Sequence, residues 1–289
     1  MRFIGLGSIT VFLLIVLLIW GNVVAGLGAG LACPDWPLCY GKYIAPLRWD
    51  IVLEKGHRVL AAITGLFIVA LCVSRGIRYG GFAKAVPVMT VLLLALQVAL
   101  GAVVVLLELP VNATTLHFAI AMLIFSIVLY LAYYDGSGMR PTFSLAGVSA
   151  VFFFFALLVL AQSVLGAYVR HSKAGLACGS EFPKCLGFWV PGNLSGSVLI
   201  HYSHRSVAYL LFLTALVSTA FPFVSKGLAP YRFRLVAVLA LIVLQIGVGV
   251  GVIYTRMDGL SVAFHLLIAI MILSILADSW FHTMGGERS

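Results

Sequence analysis

Charge is what this chain has least of. Only 9% of its 289 residues are Asp, Glu, Lys or Arg, and just nine of these are acidic. About a quarter would be ordinary for a soluble domain, so the scarcity excludes a water-soluble globular fold. There is also no block of Lys or Arg: the net charge of +9 is scattered over the connections. Scattered charge excludes nucleic acid as the partner and leaves lipid headgroups as a sufficient explanation. No A-x-A cleavage site follows the first apolar run, which is too long for a signal-peptide core, so that run is kept as a helix.

Hydrophobic residues make up 63% of the chain, and the mean hydropathy is +1.14. A spanning helix needs roughly 20 mostly apolar residues. Eight windows qualify: 5–24, 54–74, 85–107, 113–134, 144–169, 198–221, 235–254 and 259–279. The expected fold is therefore all-α and integral to a membrane, with eight transmembrane helices. Long arms follow helices 1 and 5, and they face the same side. Lys and Arg, nine on each side, do not orient the chain. Four of the five cysteines do: Cys33 and Cys39 in "CPDWPLC", and Cys178 and Cys185 in "CGSEFPKC", lie in the long arms. Disulfides persist in oxidising compartments, which puts the arms outside and both termini in the cytoplasm. Closing the Cys33 to Cys39 loop would stabilise it by roughly 2 kcal/mol.

The chain also repeats itself. Cys33 aligns with Cys178, Cys39 with Cys185, His57 with His204, Gln97 with Gln245, Gly101 with Gly249 and His117 with His265, at offsets of 145 to 148. Each repeat holds an even number of helices, so both have one polarity, which is a parallel duplication unlike inverted transporter repeats. The expected units are two four-helix bundles, 1–140 and 141–289.

Each bundle carries one histidine on each of two helices, at similar depth near the outer face. Facing helices of a bundle are suited to hold a flat macrocycle whose iron takes an imidazole from either side, so His57 with His117 and His204 with His265 suggest two haem sites. Interhelical hydrogen bonding is the plainer role for a lone histidine; repetition at matched depth favours ligation. Zinc wants three or four ligands, and His201 with His204 supply two. Arg58 and Arg205 follow the paired histidines, where a guanidinium suits a haem propionate or lipid phosphate. Glu54 sits three residues before His57, hence on the same helical face, while the second repeat has His201 there. A carboxylate kept in one copy only points to divided labour, one bundle reacting and one conducting electrons.

With "GLACPDWPLCYGKY", the "ExxHR" of Glu54 to Arg58 and four histidines in two repeats, the chain resembles the haem A synthase family over nearly its whole length. The resemblance implies an inner-membrane oxidoreductase that converts a methyl group of haem O to a formyl group by successive hydroxylations, the gem-diol losing water. It implies His57 and His117 around the substrate haem, His204 and His265 on a resident haem B that relays electrons, and Glu54 as the catalytic acid/base or stabilising anion. Haem O synthase and an unidentified electron donor are the implied partners. The family's Val-Arg pair at the outer end of helix 1 is present as Val169 and Arg170 in the second repeat, but the first has Val24 and Ala25. The competing class is a di-haem b-type membrane electron carrier that modifies neither haem.

Overall fold

A computed structural model describes residues 5–44, 46–136, 145–223 and 226–284. Eight long helices run through it: α1 Leu6–Gly26, α2 Trp49–Arg78, α3 Ala85–Leu106, α4 Val111–Tyr133, α5 Gly147–His171, α6 Gly196–Ala220, α7 Arg232–Tyr254 and α8 Gly259–Met284. The described residues contain no strand, only isolated bridges between Cys39 and Lys42 and between Cys185 and Phe188. Helices are what long apolar runs must form in lipid, where each backbone N–H and C=O needs a partner within its own segment.

Among the described residues seven helices are long and apolar enough to cross a membrane, where eight were expected. The exception is α6. It has ample length at 25 residues, but its N-terminal half runs His201, Tyr202, Ser203, His204, Arg205, Ser206, so its hydropathy is lowered by residues of the candidate site itself.

The start of α2 differs from expectation too. Hydropathy places it at residue 54, whereas the helix begins at Trp49 with Asp50 in its first turn and Arg75 and Arg78 in its last, each charge at the end its dipole favours. His57 therefore stands two turns inside the helix, and Glu54 lies in the second turn, away from a helix start. A hydropathy window sees only the apolar stretch and misses the polar turns beyond it.

The chain divides into two compact units, one of residues 1–143 together with 284–289 and one of residues 144–283. The expected boundary at 140/141 lies outside the described residues. In unit 1, α1 lies against α2 and α4, and α3 against α2 and α4. The C-terminal end of α2 is tied to α4 by Arg75, whose Nε donates to the Leu131 carbonyl at 2.8 Å, and by the Tyr79 hydroxyl, which donates to the Tyr134 carbonyl. In unit 2, α6 lies against α5 and α7. There α8 meets α5 through Phe153 and Trp280, ring centroids 4.8 Å apart, and meets α7 through the Arg234 to Asp278 ion pair.

The turns that deliver α4 and α8 share a backbone form. Glu108 and Leu109 have φ of 56° and 61°, and Arg256 and Met257 have 54° and 65°, in the left-handed region that bulky residues seldom adopt.

Candidate functional site

The four repeated histidines sit on α2, α4, α6 and α8, and each is seated against a glycine of the preceding helix. A methyl group added at Gly21 would lie 2.8 Å from His57 Cε1; at Gly101, 3.3 Å from His117 Cε1; at Gly166, 3.0 Å from His204 Cε1; at Gly249, 3.1 Å from His265 Cε1. Carbon atoms in contact prefer about 3.5–4.0 Å, so only a residue without a side chain admits the ring so closely.

All four rings keep a buried Nδ1 without a hydrogen-bond partner. Buried polar atoms are normally satisfied, and the same exception recurs at all four rings. The glutamines beside them behave likewise. Gln97 Nε2 lies 3.2 Å from His117 Nε2, a contact that metal ligation through that nitrogen would displace. Gln162 Nε2 donates to the His204 carbonyl at 2.9 Å, and Oε1 of Gln97, Gln162 and Gln245 is buried without a partner. Among the described residues no three or more His, Cys, Asp or Glu side chains gather as a metal-ion cluster. Two nitrogens from two helices, with glycine notches behind the rings, fit an iron whose other ligands come from a macrocycle.

Outside each histidine pair a disulfide loop is held down. Cys33 is bonded to Cys39 and Cys178 to Cys185, and each loop carries a two-way backbone bridge, Cys39 with Lys42 and Cys185 with Phe188. In unit 1, Arg58 Nη1 donates to the carbonyls of Asp35 (2.7 Å) and Leu38 (2.8 Å), and Nη2 to that of Cys33 (3.1 Å). In unit 2, Arg205 Nη1 donates to Glu181 (2.7 Å) and Lys184 (2.6 Å), and Nη2 to Gly179 (3.3 Å). Both guanidiniums thus anchor loops, a task invisible in sequence because their acceptors are main-chain carbonyls twenty or more residues away.

Glu54 and His201 complete these anchors from one structural place. Glu54 is 3% exposed; its Oε2 accepts the Cys33 amide at 2.7 Å, and its Oε1 pairs with Arg58. His201 is 4% exposed; the Cys178 amide approaches its Nδ1 at 3.3 Å and Arg205 Nε its Nε2 at 3.3 Å. A carboxylate accepts both donors at once. A neutral imidazole has a single acceptor nitrogen, so His201 serves one donor at a time, consistent with its longer contacts.

Beyond the loops, Asp35 accepts the amides of Tyr40 (2.6 Å) and Gly41 (2.7 Å); the Gly41 bond is the main reason its carboxyl is held below the usual 3.8. Two further residues stay apart from the site: His282 lies beside Asp278 at the other end of α8, and Cys72 is a buried free thiol. Gly21 and Gly166 were missed by sequence reasoning, although they share the 145-residue offset of the cysteines; that shared offset was the available signal.

This arrangement defines a class: a multi-pass helical membrane protein with a buried histidine pair in each of two units. The chain belongs to the COX15-CtaA family of cytochrome oxidase assembly proteins, the haem A synthase family, which it matches over residues 49–277. It is similar to the haem A synthases of Shouchella clausii (32% identical over 286 residues, 94% of this chain and 93% of the relative) and Alkalihalophilus pseudofirmus (34% over 277 residues, 91% and 89%). That of Bacillus licheniformis is 31% identical over 267 residues, 88% and 87% of the two chains.

Proposed function

We propose that this protein is a haem A synthase that oxidises a methyl group of haem O to a formyl group by successive hydroxylations. The observation that carries this reading is the set of four histidines, each seated in a glycine notch with a buried, partnerless Nδ1, in a chain similar to haem A synthases along most of its length. The two units are read as parallel-repeated four-helix bundles. Unit 1 receives haem O between His57 and His117, and unit 2 holds a resident haem B through His204 and His265. The haem B, when bound, would relay electrons one at a time.

Glu54 gives the assignment of substrate to unit 1 its chemical basis. Its two oxygens already accept from Arg58 and the Cys33 amide, which suits a stationary negative charge near a carbon that gains cationic character better than a proton carrier that must change partners. Arg58 and Arg205 as propionate ligands would exchange loop carbonyls for carboxylates. The disulfide arms are placed outside the inner membrane and both termini in the cytoplasm. Haem O synthase, as the supplier of substrate, and an electron donor are the expected partners.

The near-equivalent histidine seats in both units also suit a di-haem electron carrier. Protein made with and without a haem O source separates the two: the synthase yields haem A in the pyridine haemochrome spectrum only when haem O is supplied, whereas a carrier yields none. Absence of any Soret band from clean protein would reject both readings.

A further inference from the structure

Trp20 has no counterpart in unit 2. Its indole Nε1 donates to the Leu53 carbonyl at 2.9 Å, the carbonyl that also takes the His57 amide in the regular helix. Its ring lies on Gly56, where an added methyl group would sit 2.8 Å from Cζ2. The next residue of α1, Gly21, receives the His57 ring. Consecutive residues on α1 and on α2 therefore interlock, a large ring entering a glycine notch in each direction.

At the offset that relates Gly21 to Gly166, Trp20 corresponds to Leu165; at the one that relates His57 to His204, Gly56 corresponds to Ser203. Leucine has no donor, and serine leaves no notch. Unit 2 instead pins α6 from one turn earlier on α5, through Gln162 and the His204 carbonyl at 2.9 Å; Leu17 occupies the equivalent place in unit 1.

We infer that Trp20 is a positioning residue of unit 1, fixing the rotation of α2 and thereby aiming His57 and Glu54 together at the porphyrin substrate. Those two side chains share a helical face, so one rotation of α2 moves both. The inference rests on the reading of unit 1 as the haem O site.

The test uses full-length protein in lipid nanodiscs supplied with haem O. Trp20→Phe keeps the ring and loses the N–H. Its kcat should fall roughly tenfold or more with little change in KM. The electron paramagnetic resonance signal of the first-unit haem should shift while that of the second-unit haem and the melting temperature stay put. The triple variant Leu17→Gln, Trp20→Leu, Gly56→Ser installs the unit 2 arrangement and should restore both the signal and turnover. An unchanged first-unit signal and kcat in Trp20→Phe would overturn the inference, as would equal loss of haem from both units or a triple variant no better than Trp20→Leu alone. Wild-type protein that takes up no haem O would instead overturn the underlying reading.

Discussion

Positions 54 and 201 put different chemistry into one hydrogen-bonding place. Glu54 satisfies an amide and a guanidinium together; His201 meets the same two donors with one acceptor. Glu54→His should therefore keep the unit 1 loop folded, as the imidazole does in unit 2, while removing the negative charge. Loss of haem A formation in a variant that still binds haem in both units would assign Glu54 an electrostatic role, and wild-type turnover would reduce it to a loop anchor. The reverse change, His201→Glu, adds a charge-assisted bond to Arg205 and should stabilise unit 2 by about 1–3 kcal/mol, read as a rise in melting temperature. Glycine notches make a graded prediction. A methyl group is tightest at Gly21 and loosest at Gly101, so Gly21→Ala should impair haem binding more than Gly101→Ala, measured as haem bound per protein.

At the scale of elements, the disulfide loops depend on groups that hydropathy does not register. Asp35 caps two amides of the first loop, and its carboxyl is held below 3.8. A lowered folded value means that its contribution is fully present above the unfolded value and is lost as pH falls through the folded one. Hydrogen exchange at Tyr40 and Gly41 should stay protected at neutral pH and open only below about pH 4; Asp35→Asn should show weak protection throughout. Protection that is lost near neutrality would mean some other group controls the loop. The loops also bear on the helix boundaries: α2 starts five residues before its apolar window, and in that added stretch Ile51 joins Ala32, Cys33 and Cys39 of the loop in one buried cluster.

For the whole molecule, the proposed division of labour predicts separable losses. His204→Ala or His265→Ala should remove the resident haem spectrum, whereas His57→Ala or His117→Ala should spare it and abolish haem O uptake. Resident haem retained in full by the first pair of variants would refute the division. The all-helical, membrane-spanning character was legible because each span needs its own long apolar run, and the histidines were legible because a polar side chain repeated within such runs stands out. The latch on the disulfide loops was not, since Arg58 and Arg205 bond to carbonyls, which every residue possesses.

Composition and periodicity alone therefore determined the helical membrane class and the pairing of cysteines and histidines between the two halves, because burial in lipid and a repeated spacing are properties of the linear chain. Only the tertiary structure decided that Gly21, Gly101, Gly166 and Gly249 seat the imidazoles, that Glu54 and His201 perform one anchoring task, and that Trp20 locks α1 onto α2. Those outcomes depend on how closely neighbouring helices approach and at what rotation, and side-chain volume at a distant position sets both.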